Sequence, residues 1–227
     1  IKPLGICQFL DRLKKEGKIR FACFSFHDDY KAFETILNDY DWDMCQIQYN
    51  FMDINNQAGT KGLELAGSKG IPVVVMEGLL GGRLAKAPDN VQALYDAFPV
   101  KRSPVEWAFR WLIDKPEFMT ILSGMSDLAQ ADDNLRIFDS AEAGCLSEME
   151  KETLEKVRKA YEARIRVGCT GCEYCMPCPQ GINIPTAGRI HLLATRSPYQ
   201  QFLTKEYRDE QKLVDNCIHC GQCASRC

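Results

Sequence analysis

Apolar positions recur along the chain in two rhythms. Short runs rich in β-branched and aromatic residues predict strands: "KIRFACFSF" (18–26), "MCQIQYN" (44–50), "IPVVVME" (71–77) and "FMTILSG" (118–124). Between them lie stretches with helical signals. "DDYKAFETILND" (28–39) opens on acidic residues that suit a helix N-terminus. "QAGTKGLELAGSKG" (57–70) is a weak helix closed by Gly70, and "PDNVQALYDAF" (88–98) is a short one. "SPVEWAFRWLID" (103–114) is predicted to start at Ser103 as N-cap, with Pro104 at the first position and Glu106 completing a capping box. "DLAQADDNLRIF" (127–138) follows the fourth strand. "SEMEKETLEKVRKAYEARI" (147–165) is a last, charged helix with a second capping box at Ser147 and Glu150.

Alternating strands and helices, with strands apolar on both faces, imply parallel βα units. Four such units are half of an eight-unit barrel, or a small open sheet. No G-x-G-x-x-G follows a strand, which argues against a Rossmann fold.

Composition narrows the class. The chain has 227 residues, 45% of them hydrophobic, and a formal charge of −3 with no basic block. Nucleic acid is therefore not an expected partner. No apolar run reaches the roughly 18–20 residues of a membrane span, and no signal peptide is expected. The expected compartment is the cytoplasm, where disulfides rarely persist. The sequence starts at Ile1 without Met and stops at Cys227 inside a cysteine motif, so a fragment of a longer protein is expected.

The twelve cysteines divide into two sets. Cys7, Cys23, Cys45 and Cys145 are scattered. Cys23 and Cys45 lie in strand-like runs and read as small buried hydrophobes. The other eight form two runs. Cys169, Cys172, Cys175 and Cys178 make C-x2-C-x2-C-x2-C-P; Cys217, Cys220, Cys223 and Cys227 make C-x2-C-x2-C-x3-C. A C-x2-C pair turns tightly enough to place two thiolates on one metal centre, and a third at the same interval wraps three corners of a cubane. In two-cluster ferredoxins each run gives three ligands to one cluster and its fourth cysteine to the other. Two 4Fe-4S clusters use all eight. Zinc on Cys172, Cys175, Cys217 and Cys220 is the alternative, and it leaves four cysteines without a role. Disulfides are a third reading. Thiolates alone, with no histidine at a ligand interval, suit iron and sulfide. Ile182 and Ile184 can cover a cluster with apolar surface. "PTAGRIHLLATR" then reads as a helix with Pro185 near its start, on which His191 is a solvated or packing residue, and His219 reads as an exposed loop residue inside the second run.

The strand ends carry a family pattern. "KKEGKIRFACFSFHD", "QIQYN", "VVVMEGLLGGRLA", "SPVEWAFRWL" and "ILSGMSDLAQADDNL" occur in this order. Together they resemble the C-terminal half of an aldo/keto reductase. "CTGCEYCMPCPQGINIP" and "CIHCGQC" resemble the subgroup of that family with a C-terminal ferredoxin-like domain. The resemblance implies an α/β chain: strands five to eight of a (β/α)8 barrel over residues 1–145, a connecting helix over 146–166, and a small, mainly helical 4Fe-4S domain over 167–227. It also implies an NAD or NADP site at the C-terminal strand ends. Ser25 matches the residue that bonds the nicotinamide carboxamide, and Gln46 matches its partner. Met76 stands where a ring-stacking tyrosine is common, and a thioether also packs on a ring. Gly124, Met125 and Ser126 match the loop that holds the adenosine phosphate, and Asp133 and Asn134 match the adenine contacts. Gln130 stands where an arginine often pairs with the 2′-phosphate, which weakens the case for NADP.

The family's catalytic tyrosine, lysine, aspartate and histidine lie on the first four barrel strands. Tyr30, Tyr40, Tyr49 and Lys61 are in no matching motif, so no catalytic residue is assigned and this chain alone is expected to be inactive. The parent is expected to be an oxidoreductase acting on a carbonyl or alcohol, with the clusters carrying single electrons and a redox protein as a possible partner. The alternative is an electron-transfer module whose barrel half serves as a docking surface. Half a barrel leaves its inner face and two strand edges open, so self-association is expected.

Overall fold

The computed structural model describes residues 4–140, 142–164, 175–185 and 213–226. They group into two compact units: Ile1–Gly81 with Val105–Leu154, and Gly82–Pro104 with Glu155–Cys227.

The first unit is built on four strands, β1 (Cys23–Ser25), β2 (Met44–Gln48), β3 (Val73–Met76) and β4 (Phe118–Ile121). All pair in parallel, in the order β1-β2-β3-β4. Each strand adds beside its predecessor, so the order never reverses as it does at the switch point of a doubly wound sheet. Helices α1 (Ile6–Lys15), α2 (Tyr30–Asp39), α3 (Gly59–Ser68), α5 (Pro104–Ile113) and α6 (Leu128–Asp139) belong to this unit. Helix α4 (Asp89–Asp96) belongs to the second, and α7 (Glu148–Glu162) runs across the boundary.

Strand alternation sorts the side chains. Cys45 and Ile47 of β2 and Val73 and Val75 of β3 are buried against Phe33 and Leu37 of α2, Leu63 and Ala66 of α3 and Leu112 of α5. The intervening Met44, Gln46 and Gln48 face the other way and are only half-buried. The same alternation corrects the expectation for Cys23. Phe24 takes the packed face of β1, which leaves Cys23 and Ser25 exposed on the other. Cys45 is buried as expected, and burial pushes its thiol up to about 12.

The expected helices form close to their predicted bounds. Asp29 caps α2 by accepting from the Ala32 N–H at 2.8 Å, and Asp127 caps α6 by accepting from the Gln130 N–H at 2.9 Å. Helix α3 is glycine-rich because α2 lies close: a Cβ on Gly62 would sit 2.7 Å from the Ala58 Cβ and 3.0 Å from Phe33. The capping box of α7 is complete. The Ser147 N–H donates to Glu150 Oε2 at 2.7 Å, and the Glu150 N–H reaches Ser147 Oγ at 3.4 Å. Ser147→Ala is expected to cost about 1 kcal/mol, read as a lower urea midpoint at unchanged slope.

In the second unit, Val91 and Tyr95 of α4 are buried, as are Val157 and Tyr161 of α7. Arg164 Nη1 donates to Asn90 Oδ1 at 3.0 Å. Among the described residues no helix is long and apolar enough to cross a membrane. The helix expected after Pro185, including His191, lies outside the described residues.

Candidate functional site

Three expected coenzyme residues meet on the open face of the sheet. Ser25 ends β1 and is level with Gln46 in β2; Gln48 is level with Met76 at the end of β3. Gln46 Nε2 lies 3.3 Å from Ser25 Oγ and 3.4 Å from Met76 Sδ, donating towards both. The amide therefore has its nitrogen turned inward, with Oε1 as its remaining acceptor.

A polar network missed at the sequence level braces these strand ends. Asn50 is fully buried. Its Oδ1 accepts from the Met52 and Asp53 N–H groups at 3.0 Å, and its Nδ2 donates to the Glu77 carbonyl at 3.1 Å. Gln48 Nε2 donates to Asp53 Oδ2 at 3.1 Å, and Gln57 Nε2 donates to Gln48 Oε1 at 3.0 Å. Gln57, Glu77 and Leu80 hold φ of 55°, 60° and 51°, a region unfavourable for side chains with a Cβ. Strained residues of this kind collect at functional sites. The available signal was an asparagine two residues past the end of β2, a type that bonds its own turn.

The residues expected on the adenosine side gather where β4 meets α6. Gly124, Met125 and Ser126 are exposed, and a Cβ on Gly124 would meet nothing within 4 Å. The Ser126 N–H donates to Gln130 Oε1 at 2.9 Å, and Gln130 Nε2 donates to Asp127 Oδ2. Asn134 Nδ2 donates to Ser123 Oγ at 3.0 Å. Asp133 Oδ1 accepts from Arg136 Nη2 at 2.8 Å, and the same nitrogen donates to Glu106 Oε2 at 2.8 Å. Arg110 Nε donates to Glu106 Oε1 at 2.8 Å. Burial alone would raise the Glu106 carboxyl, but Arg136 and then Arg110 hold it below its ordinary value.

The cysteine centre lies in the second unit. Cys175, Cys178, Cys217, Cys220 and Cys223 line one cavity, walled by Pro177, Ile184 and Ile218. Cys175 and Cys178 of the first run thus share a cavity with three cysteines of the second. The His219 N–H donates to Cys217 Sγ at 3.4 Å, with His219 at φ 52° and Gly221 at φ 73°. Among the described residues no three Cys, His, Asp or Glu side chains are placed to share a single metal ion. A cubane takes each thiolate on a different iron, so its donors surround a volume instead of converging on a point. The all-thiolate donors, the apolar wall and the backbone N–H aimed at sulfur fit an iron–sulfur cluster. Cys169, Cys172 and Cys227 lie outside the described residues.

Residues 2–159 match the model of the aldo/keto reductase family. The chain belongs to the aldo/keto reductase family. Residues 168–227 match the 4Fe-4S dicluster domain. This member of the aldo/keto reductase family therefore carries a segment that matches a 4Fe-4S dicluster domain, as the cysteine runs implied. Aldo-keto reductase AKR11C1 from Bacillus halodurans is similar in fold in both its holo and apo forms. Each has a TM-score of 0.55 and 20% identity over 66% of this chain. The match covers 54% of the holo chain and 55% of the apo chain, so the present chain spans about half their length. No curated protein matches the sequence significantly.

Proposed function

We propose that the chain is the coenzyme-side half of an iron–sulfur aldo/keto reductase. Its four βα units serve as the fifth to eighth of a (β/α)8 barrel over residues 1–145. A connecting helix follows, and residues 167–227 form a ferredoxin-like domain for two 4Fe-4S clusters. The observation that carries this reading is the meeting of Ser25, Gln46 and Met76 at adjacent strand ends, where barrel sites lie. Ser25 can donate its hydroxyl proton to the carboxamide oxygen of a nicotinamide, while Gln46 Oε1 accepts from the carboxamide nitrogen. Met76 offers a polarizable surface to the ring. When bound, the coenzyme supplies hydride chemistry and the clusters supply one-electron steps. The substrate class is a small carbonyl or alcohol, and the compartment is the cytoplasm.

NADH fluorescence titration of the anaerobically purified chain tests the reading. Gln46→Ala is expected to weaken binding about tenfold, or about 1.4 kcal/mol; an unchanged Kd would remove Gln46 from the site. NADP is expected to bind no more tightly than NAD. Gln130 brings no positive charge to a 2′-phosphate, and its Oε1 already takes the Ser126 N–H.

One observation favours a second reading. Ser126, Asp133 and Asn134 are already hydrogen-bonded within the chain. Intact clusters without NADH binding would select an electron-transfer module whose barrel half is a docking surface.

A further inference from the structure

We propose that Asn50 is a positioning residue of the coenzyme site. It ties the turn after β2 to the turn after β3, and so fixes Gln48 and Met76, the last residues of the two strands. The inference rests on the coenzyme reading above. Both strands are interior to the sheet, so the tie is set by residues on either side of it and not by a sheet edge.

The ladder between β2 and β3 runs out at these residues. Gln48 is level with Met76, and the Tyr49 N–H donates to the Met76 carbonyl at 3.1 Å. Consecutive carbonyls of an extended strand point to opposite sides, so a neighbour on one side holds only alternate ones. Glu77 breaks that alternation. Its φ of 60° turns the chain out of the strand, and its carbonyl becomes a shared acceptor. The Leu80 N–H reaches it at 2.8 Å and closes the turn; Asn50 Nδ2 reaches it at 3.1 Å and ties that turn to β2.

The other end of the same amide holds the turn after β2. Asn50 Oδ1 accepts from the Met52 and Asp53 N–H groups at 3.0 Å. Two backbone donors fix which end of the amide is oxygen, so Nδ2 faces Glu77. Asp53, held there, accepts from Gln48 Nε2 at 3.1 Å, and Gln57 Nε2 donates to Gln48 Oε1 at 3.0 Å. Gln48 is thereby set from one end of Asn50 and Met76 from the other. Met76 Sδ lies 3.4 Å from Gln46 Nε2, whose Oε1 is the acceptor left for the carboxamide. Asn50 acts on the nicotinamide end through these residues. Its side chain is fully buried, where each polar group left unmet is costly. Aspartate has the same shape and both acceptors but no N–H for Glu77; alanine has neither.

Calorimetric titration of the anaerobically purified full chain with NADH and, separately, with 5′-AMP tests the proposal. AMP carries the adenine end without the nicotinamide. Asn50→Ala is expected to weaken NADH binding about tenfold and to leave AMP binding within about twofold. Equal losses on both ligands would mean general loosening and would overturn the proposal. Alanine leaves the Met52 and Asp53 N–H groups buried and unpaired, so Asn50→Asp, which keeps both acceptors, is the second variant and should show the same split. Amide hydrogen exchange needs no coenzyme. Exchange across residues 76–82 should quicken at least about tenfold in either variant, with residues 73–75 unchanged; unchanged exchange at 76–82 would overturn the proposal. A wild type that does not bind NADH would sink the functional reading and this inference with it, whereas NADH binding untouched by both variants would sink this inference alone.

Discussion

Cys220→Ser is expected to halve the iron and acid-labile sulfide of the purified protein, from about eight of each per chain to about four. Cys217, Cys220 and Cys223 share one cavity with Cys178. If these four hold one cubane, loss of any one removes the same centre. Cys178→Ser and Cys220→Ser should therefore abolish the same signal in the electron paramagnetic resonance spectrum of the reduced protein. Cys175 lines the cavity too, but the ligand order of two-cluster ferredoxins would give it to the other cluster. Cys175→Ser should abolish the other signal and leave that of the Cys220 centre intact. Cys145 is the control: its Sγ lies 3.8 Å from the Arg110 carbonyl, in the other unit, and Cys145→Ser should leave iron unchanged. Identical losses from Cys175→Ser and Cys220→Ser would refute the crossed assignment. Zinc without sulfide would refute the clusters altogether.

The cysteine runs were legible because ligand spacing is a local property: a C-x2-C interval constrains its metal whatever the rest of the chain does. The strands were legible for a similar reason, since β-branched runs such as "IPVVVME" report burial on both faces. Which face a single residue takes is decided by tertiary packing, and there the sequence misled. Cys23 sits in an apolar run, but Phe24 claims the core and the period of two sends Cys23 outward. Helix α1 was missed because it lacks the usual start. Its N-cap is Gly5, at φ 65° with no side-chain bond, and none of its residues is buried. The strand-end network was invisible for a third reason. Gln48, Asp53 and Gln57 meet only because the turn after β2 folds back, and Asn50 anchors that turn to the Glu77 carbonyl 27 residues away. Spacing rules do not reach across such a gap. The order of several weak strand-end motifs does, which is why the family could be read from the sequence although no single motif identified it.

Glu106→Ala is expected to destabilise the first unit by about 3 kcal/mol, the largest effect anticipated for any residue outside the cysteine runs. The carboxylate is 6% exposed and receives Arg110 on one oxygen and Arg136 on the other. Removing one partner of a buried ion pair typically costs about 3–5 kcal/mol, because the remaining charge is left without compensation. The low end applies because the Arg136 side chain is 56% exposed and can turn to water. The same substitution should loosen Asp133, which shares Arg136 with Glu106. Acidity gives an independent check. The arginines overcome the burial penalty and hold the folded carboxyl below its ordinary value of 4.5. The folded state then binds its proton less readily than the unfolded chain. Its contribution is fully present above about pH 4.5 and is lost as pH falls through the lower folded value. Urea midpoints for wild type and Glu106→Ala should therefore lie far apart at pH 7 and converge towards pH 3. A gap that stays constant across that range would mean the substitution acts through lost packing alone, and Glu106→Gln, which keeps the volume, would then be nearly as stable as wild type at pH 7.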